Sequence, residues 1–457
     1  MTLTPQAYRP ETAILELGDG FYDPVAAADF PQTRLRFRND RAAASIGLDG
    51  LSDAEWTAHF GRFQPLEGSL TEPLALRYHG HQFRVYNPEI GDGRGFLFAQ
   101  LRDDRGRLMD LATKGSGQTP WSRFGDGRLT LKGGVREVLA TEMLQALGVD
   151  TSRSFSLIET GEALERGDEP SPTRSAVLVR LSHGHIRIGT FQRLAYHRDE
   201  AGIRELTAYV LRHYYGEEAG DDAPVRLLDH VVRRGARLAA SYMAAGFVHG
   251  VLNTDNINVT GESFDYGPWR FAPTWDPGFT AAYFDHAGLY AFGRQPEAIH
   301  WDVMQLAVAL RQISEPEPLI AVLEKFGEHY QPAVSSAILW RLGLVPRDPE
   351  SDRALVQEIE RALRTAEASI DRFFFDGFGG VLPESYGEAF DALRTALGAY
   401  RPRSDRNHAY WSGDGPCAML IDEVEAIWAA IDQRDDWTVF EAKIAAIRDM
   451  GAALSEG

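Results

Sequence analysis

The stretch His249-Gly250-Val251-Leu252-Asn253-Thr254-Asp255-Asn256, followed shortly by Asp265-Tyr266-Gly267, decides how this chain is interpreted. Asn256 and Asp265 offer amide and carboxylate oxygens, which suit Mg²⁺ when the metal also binds phosphates. Asp255 adds a carboxylate that can accept a proton from an incoming hydroxyl. An Asx turn would explain the first stretch alone, but the aspartate that follows favours a metal site. The sequence therefore predicts that metal, phosphate and an acceptor hydroxyl meet at this loop.

The same spacing resembles the catalytic loop of protein kinases, which reads H-R-D-L-x-x-x-N and is followed by D-F-G. His249, Leu252 and Asn256 match that pattern, and Asp265-Tyr266-Gly267 stands in place of D-F-G. Val251 occupies the position of the kinase base, and a valine side chain can neither accept a proton nor orient a hydroxyl. We therefore expect a nucleotide–metal site in which Asp255 is the candidate base, while ordinary phosphoryl transfer lacks its usual base.

Length and composition predict a folded protein with two or three lobes. The chain has 457 residues, of which 44% are apolar and 25% charged, as is usual in folded proteins. A net charge of -19 disfavours nucleic acid as the main partner, because binding its phosphates requires a basic surface. No apolar run approaches the ~20 residues that cross a bilayer, and the first residues have no secretory pattern. Cys417 is the single cysteine, so an intrachain disulfide is impossible, and we expect a cytoplasmic protein without membrane contact.

Periodicity along the chain predicts strands first and helices afterwards. The expected strands cover Phe96–Leu101, Leu108–Thr113, Phe155–Ile158 and Ala176–Val179, and a helix is expected over Val135–Leu147. Further helices are expected over Leu227–Gly246, Trp301–Ile313, Glu317–Phe326, Ala354–Phe375 and Glu423–Ile431. This order predicts an α+β, protein-kinase-like bilobal fold with a strand-rich N-lobe and a helical C-lobe. The expected parts are an N-terminal extension packed on the lobes (1–75), the nucleotide-binding N-lobe (76–190), the C-lobe with the catalytic loop and metal motif (191–400) and a C-terminal helical extension (401–457).

Candidate phosphate-binding groups cluster in the N-lobe. Gly91-Asp92-Gly93-Arg94-Gly95 is a glycine-rich turn whose backbone N–H groups can approach an anion, although a hairpin turn would explain it alone. Lys114 ends an expected strand and Glu137 lies near the start of the expected helix, where kinases pair such residues. Two solvated charges are the alternative for this pair. Arg180 and Arg187 lie in a strand-like run, and buried arginine usually has an anionic partner.

A tight polar loop follows the lysine, Ser122-Arg123-Phe124-Gly125-Asp126-Gly127-Arg128. Taken alone, it would be a surface turn. Arg123, Arg128 and Arg136 nevertheless place positive charge near Lys114 in an acidic protein, which fits a polyphosphate pocket.

Taken together, these segments resemble the selenoprotein O family, a group of kinase-fold proteins called pseudokinases. The matching segments span roughly residues 15–310 and include Tyr78–Phe83, Gly91–Arg94, Lys114–Gly117, Ser122–Arg128, Arg136-Glu137, His185–Arg187, His249–Asn256, Asp265–Pro268, Asp276–Phe279 and Tyr290–Pro296. The resemblance implies that ATP binds upside down relative to kinases. AMP would then be transferred to a Ser, Thr or Tyr hydroxyl of a protein, with self-modification as a further case, and pyrophosphate would leave.

The resemblance also implies a role for each candidate residue. The nucleotide would be held by Gly91, Gly93, Arg94, Lys114, Asp126, Gly127, Arg180, Arg187 and Asp265, and Glu137 would orient Lys114. Asn256 and Asp265 would bind Mg²⁺ or Mn²⁺, and Asp255 would be the base.

Several positions depart from the family pattern. Gln118 stands where an arginine is expected, Lys132-Gly133-Gly134 replaces an Arg-Ser-Ser-like stretch, and the region from about Arg401 onward fits poorly. Three other functions stay open at this point. They are UMP transfer from UTP, protein phosphorylation with Asp255 as a displaced base, and a non-catalytic ATP-binding scaffold, which Val251 motivates.

Overall fold

An antiparallel sheet forms the front half of the molecule and carries most of the predicted phosphate-binding residues. The computed structural model describes residues 7–167 and 169–456. The strands within these residues are β1 (Pro10–Glu11), β2 (Tyr22–Pro24), β3 (Arg34–Arg38), β4 (Leu74–Leu76), β5 (Gly80–Gln82), β6 (Val85–Asn87), β7 (Leu97–Arg102), β8 (Leu108–Lys114), β9 (Leu129–Thr130), β10 (Arg153–Leu164), β11 (Thr173–Ser182), β12 (Phe247–Val248) and β13 (Arg270–Phe271). Nine of these described strands form one sheet in the order β2-β4-β7-β8-β11-β10-β3, with β1 beside β7 and β9 beside β11.

The predicted N-terminal extension shares this sheet with the N-lobe. Its residues supply β1, β2 and β3, and β4 spans the boundary expected at residue 75. The division into four parts therefore stays a proposal. Strand pairing joins the first proposed part to the second.

The hairpin of β7 and β8 brings Lys114 to the cleft. At its turn Asp103 Oδ1 accepts the backbone N–H groups of Arg105 and Arg107 at 3.0 and 2.8 Å. Gly106 has a φ of 77°, a conformation that glycine adopts at little cost. β8 is buried along its whole length and pairs with β11 on its other side, where Lys114 lies opposite Leu178. The expected strands are confirmed here, and their bounds differ by one residue.

Helices form the back half of the molecule. The α-helices of the described residues are α1 (Asp40–Ala44), α2 (Asp53–Phe60), α3 (Leu131–Ala146), α4 (Ile188–Tyr196), α5 (Glu200–Val210), α6 (Ala223–Ala245), α7 (Gln295–Leu310), α8 (Pro316–Leu323), α9 (Phe326–Arg341), α10 (Pro349–Ala366), α11 (Ile370–Asp376), α12 (Asp391–Leu397), α13 (Ile421–Arg434) and α14 (Thr438–Ser455). None of them combines the length and the apolar character needed to cross a membrane.

Helix α3 lies on the sheet and buries Glu137. The hydroxyl of Thr130 caps the helix by accepting the N–H of Gly133 at 3.1 Å. Gly134 allows close packing against β10, because a Cβ at this position would overlap the side chain of Leu157. The Lys132-Gly133-Gly134 stretch that departs from the family pattern is therefore the first turn of this helix. The predicted helix is confirmed and begins one turn earlier than expected.

The long helix α6 leads into the catalytic loop. Its apolar face is buried in the core, and Gly246 ends it with a left-handed φ of 69°. The short strand β12 follows, and the His249 loop comes directly after it. His249 is buried, and its ring Nε2 lies 3.1 Å from the carbonyl oxygen of Phe264, next to Asp265. This contact therefore joins the His249 loop to the segment that contains Asp265.

Two sequence-based predictions are wrong in detail. The single helix expected over Ala354–Phe375 is two helices, α10 and α11, because Glu367 has a left-handed φ of 49° and Ser369 caps a new helix. Arg187 does not lie in a strand with Arg180. It is the residue before α4, and its backbone forms an isolated bridge with Asn258.

The C-terminal helices α13 and α14 pack against α3. Arg448 of α14 donates to both carboxylate oxygens of Glu142 at 2.8 and 2.9 Å. Lys132 at the start of α3 lies 2.7 Å from Glu425 of α13. The C-terminal extension, which the sequence left without a role, therefore supports the helix that carries Glu137.

Candidate active site

A cavity of about 710 Å³ lies between the sheet and the catalytic loop. It brings together the predicted residues Gly91, Gly93, Arg94, Lys114, Asp126, Gly127, Arg180, Arg187, Asp255 and Asp265. Glu137 and Asn256 lie just behind its wall and contact it through Lys114 and Asp265. Positive groups from the sheet and oxygen donors from the helical half therefore share one cleft.

Lys114 is the centre of the charged cluster. Its Nζ lies 2.5 Å from Glu137 Oε2 and 2.8 Å from Asp265 Oδ1. Lys114 and Glu137 are both buried, at 5% and 0% exposure, so they are not the two solvated charges considered as the alternative. The lysine thus has a fixed position at the point where the two halves of the molecule meet.

Two arginines complete the positive side. Arg180 Nη1 lies 3.5 Å from Glu137 and 3.4 Å from Asp265. Arg187 Nη1 donates to the backbone oxygen of Asp255 at 2.9 Å, and its Nη2 lies 3.2 Å from Asp92 Oδ1. Both arginines are buried. Since buried guanidinium groups need anionic partners, this arrangement provides fixed donors beside the cavity.

Asp265 is held in an unusual backbone conformation with a φ of 64°. Burial alone would raise its pKa, but the three neighbouring cations hold the pKa of Asp265 well below its ordinary value. Asn256 Nδ2 donates to Asp265 Oδ2 at 3.2 Å. The carboxylate is therefore ionised and oriented, as a ligand for a divalent cation must be.

Asp255 has the opposite electrostatic character. Burial raises the pKa of Asp255 to about 7; Arg187 opposes this rise and the charge of Asp265 adds to it. Its Oδ1 is buried without a hydrogen-bond partner among the described residues. A carboxyl that lines the cavity and has a raised pKa is suited to accept a proton.

The hairpin of β5 and β6 holds the catalytic loop in place. The backbone N–H of His81 donates to Thr254 Oγ1 at 2.7 Å, and that of Phe83 donates to Asn253 Oδ1 at 3.0 Å. Gly80 is required at this contact, because a Cβ there would lie 2.9 Å from Asp255 Oδ1. The Tyr78–Phe83 motif thus positions Asp255.

The glycine-rich turn lines the cavity, but part of its glycine content serves packing. A Cβ at Gly91 would lie 2.6 Å from the ring of Trp121, and one at Gly93 would lie 2.8 Å from the Trp121 backbone oxygen. Asp92 within the turn accepts the backbone N–H of Leu76 at 3.1 Å and pairs with Arg187. The turn is therefore held in place by these contacts, and Arg94 is its positively charged group at the cavity.

The loop from Ser122 to Arg128 forms the outer rim. Asp126 is paired with Arg166 at 2.9 Å, and Gly127 has a left-handed φ of 70°. Phe124 is fully exposed on this rim. Gln118, which replaces the expected arginine, donates to the Gly125 backbone oxygen at 2.8 Å and thereby fixes the loop.

Arg128 and Arg136 do not provide the free positive charge that the sequence predicts near Lys114. Arg128 is neutralised by Glu162 at 2.9 Å. Arg136 does not line the cavity; its guanidinium lies 4.9 Å from the Trp269 ring centroid and 3.6 Å from Glu425. Arg166, in a segment expected to be an exposed loop, lines the cavity instead. No sequence pattern indicates a role for Arg166, because only the tertiary structure brings it to the rim.

A divalent metal would have few protein ligands here. Among the residues that the structure describes, no three His, Cys, Asp or Glu side chains cluster as a metal site. Asp265 and Asn256 nevertheless offer hard oxygen donors next to each other. Such a set suits Mg²⁺ or Mn²⁺ that takes its remaining ligands from phosphates and water.

Comparisons with known proteins show which family this chain resembles. Residues 6–378 match the sequence model of the family described as "Protein adenylyltransferase SelO". The chain is 47% identical to "Protein nucleotidyltransferase YdiU" of Trichormus variabilis, with 96% of each chain covered. It is 46% identical to the protein of that name from Gloeobacter violaceus, with 96% of this chain and 94% of the relative covered.

Solved structures show a more distant likeness. A rhoptry antigen kinase domain from Toxoplasma gondii is 14% identical and gives a TM-score of 0.31, covering 64% of this chain and 84% of that one. ROP2 from the same organism, described as having a protein-kinase fold and no enzymatic activity, is 12% identical with a TM-score of 0.27, covering 79% of this chain and 91% of that one.

Proposed function

The chain belongs to the SelO family of protein adenylyltransferases, and from this premise we propose that it transfers AMP from ATP to Ser, Thr or Tyr hydroxyls of proteins. The observation that carries the proposal is the shared cavity, in which Lys114, Arg180 and Arg187 face Asp255 and Asp265. Cations are suited to a triphosphate, and the two carboxyls have different electrostatic states. The protein is an enzyme of the nucleotidyltransferase class.

The reaction follows from these side chains. An acceptor hydroxyl loses its proton to Asp255 while its oxygen attacks the α-phosphorus of ATP. The bond between the α-phosphorus and its bridging oxygen breaks, AMP stays on the acceptor and pyrophosphate leaves. Lys114, Arg180 and Arg187 offset the charge that develops on pyrophosphate. Asp255 must bind the proton in the transition state, and a pKa near 7 suits that task.

The nucleotide orientation is part of the proposal. ATP bound in the flipped orientation places its α-phosphate, rather than its γ-phosphate, beside Asp255. Gly91, Gly93, Arg94, Asp126 and Gly127 would contact the remaining parts of the nucleotide along the rim.

Asn256 and Asp265 would hold Mg²⁺ or Mn²⁺, which supplies charge neutralisation at the phosphates when bound. Glu137 acts through Lys114, because its carboxylate fixes the ammonium at 2.5 Å. A cytoplasmic location and modification of the protein by itself remain predictions from the sequence.

Intact-mass spectrometry tests the proposal against its alternatives. The full chain is incubated with Mg²⁺ and either ATP or UTP, alone and with a mixture of proteins as acceptors. An added AMP mass is the expected product with ATP. An added phosphate would instead establish a kinase, an added UMP with UTP but no AMP would establish uridylyl transfer, and no adduct in the presence of measurable ATP binding would establish a scaffold.

A further inference from the structure

A second cavity of about 770 Å³ lies in the C-lobe, away from the nucleotide cleft. Helix α6 forms one wall and helix α9 the other, and the link between α3 and β10 closes one end. The cavity is as large as the cleft of the proposed active site and shares no lining residue with it. A void of this size is large enough for a small organic ligand.

The α6 wall is positively charged. Arg233, Arg234 and Arg237 all line the cavity. Arg233 is neutralised by Asp229 at 2.8 Å. Arg234, which is half-buried, and Arg237 have no ion pair or hydrogen bond within the described part of the chain. Asp150 is the one carboxylate in the lining, and it forms no ion pair with either arginine within the described residues, so both guanidinium groups stay available to an external anion.

The α9 wall is mainly apolar. Its exposed face offers Pro332, Ala333, Ala337 and the half-buried ring of Trp340. Gly148 allows the chain to pass over the edge of this ring, because a Cβ there would lie 2.9 Å from it. Across the cavity, Leu238 of α6 adds an aliphatic contact. The cavity therefore has one charged side and one apolar side.

We propose that this cavity binds a small organic anion, whose phosphate or carboxylate group is held by Arg234 and Arg237 and whose aromatic or aliphatic body lies against Trp340. A charged group alone would leave the apolar wall in contact with water, whereas an apolar molecule would leave both guanidinium groups unpaired. A molecule with both parts satisfies both walls.

Part of the wall of this cavity is connected along the chain to the proposed active site. Gly261, which lines it, packs directly on Arg234, because a Cβ at Gly261 would lie 2.5 Å from Arg234 Cβ. The backbone oxygen of Asp150 accepts the N–H of Ser263 at 2.8 Å. The segment from Gly261 to Ser263 leads to Asp265, so ligand contacts reach the chain just before the proposed metal aspartate.

Isothermal titration with phenyl phosphate tests the proposal on the full chain. The cleft is first saturated with Mg²⁺ and an ATP analogue that has a methylene bridge between its α- and β-phosphates. One molecule of phenyl phosphate should bind to each chain, and inorganic phosphate should bind more weakly. The double variant Arg234→Gln/Arg237→Gln should lose at least about tenfold in affinity, as expected for charge-assisted hydrogen bonds.

Two further variants separate the contributions of the walls. Trp340→Leu should reduce the preference for phenyl phosphate over hexyl phosphate and leave inorganic phosphate unaffected. Arg204→Gln/Arg353→Gln changes the net charge equally at exposed helical positions outside the cavity and should bind like the wild type. If the double variant at the cavity does not fold, Arg237→Gln alone, at an exposed position, is compared in its place.

Three results would overturn the proposal. The first is that the wild type binds no phenyl phosphate when the cleft is saturated. The second is that the cavity variant binds it as tightly as the wild type. The third is that the distant control pair weakens binding as much as the cavity pair, which would show a bulk charge effect.

Discussion

Lys114 of the sheet and Asp265 of the helical half form an ion pair in which Nζ lies 2.8 Å from Oδ1. The same ammonium also lies 2.5 Å from Glu137 of α3. One side chain thus connects the sheet, the helix on the sheet and the proposed metal motif. The arrangement of the cleft therefore depends on this lysine.

Lys114→Met should reduce both stability and nucleotide binding. The substitution leaves Glu137 buried with Arg180, at 3.5 Å, as its remaining cationic partner. A buried carboxylate that loses its main partner typically costs about 3–5 kcal/mol in the free energy of unfolding. Urea denaturation measures this loss, and calorimetry measures the accompanying loss of ATP affinity. Lys132→Met is the matched control, because the Lys132–Glu425 pair is partly exposed and is worth at most about 1 kcal/mol.

Asp255→Asn should slow AMP transfer and leave ATP binding nearly unchanged. The amide keeps the shape of the side chain but cannot take a proton, so the rate constant should fall by roughly 100-fold or more. Steady-state labelling gives the rate, and calorimetry gives the ATP affinity. Asp276→Asn, at an exposed position outside the cavity, should react at the wild-type rate. Loss of ATP affinity with an unchanged rate constant would remove Asp255 as the base.

Glu262→Gln should make stability less dependent on pH. Burial raises the pKa of Glu262 from 4.5 to about 8, and the charge of Asp150 adds to the rise. The folded protein therefore binds an extra proton between these two pH values. As pH rises through that window, the free energy of unfolding should fall by up to about 1.4 kcal/mol per pH unit.

Glutamine resembles the protonated side chain and keeps an oxygen for the backbone N–H of His183, which lies 2.7 Å from Glu262. Chemical denaturation at a series of pH values compares the two proteins. The variant should be the more stable protein at pH 8, and the two should converge toward pH 5. Parallel curves across this range would contradict the assignment.

Arg448→Met should weaken the support that the C-terminal helices give to α3. Arg448 makes two hydrogen bonds to Glu142, which is buried at 3% exposure. Since Arg41 keeps one contact to that carboxylate at 3.1 Å, the expected loss in the free energy of unfolding is about 1–3 kcal/mol. Arg41→Met should cost less than about 1 kcal/mol, because Arg41 is largely exposed. Equal costs for the two substitutions would show that α14 contributes no specific support.

The site residues that could be predicted from the sequence each belong to a short segment with a recognisable spacing. Lys114 at a strand end, Glu137 in the second turn of a helix, and Asn256 close to Asp265 all follow from spacing within short segments. The hairpin turn at Asp103 was predictable for the same reason, since its chemistry depends on four adjacent residues.

The parts that were missed depend on contacts between distant segments. Arg187 was expected in a strand, but its pairing with Asp92 and its bridge to Asn258 place it before a helix. Arg166 lies at the rim of the cavity, where it forms an ion pair with Asp126 of a different segment. The packing of α13 and α14 on α3 joins residues about 300 positions apart, as in the Arg448–Glu142 contact. No periodicity in the sequence reports such contacts.

The most direct test of the central claim is the position of the label that ATP leaves on protein. Wild type and Asp265→Ala are incubated in parallel with Mg²⁺, an acceptor protein and ATP labelled on either the α- or the γ-phosphate. We expect wild type to transfer the α-label and no γ-label, and Asp265→Ala to transfer neither. Transfer of the γ-label by wild type, or undiminished α-labelling by Asp265→Ala, would contradict that claim.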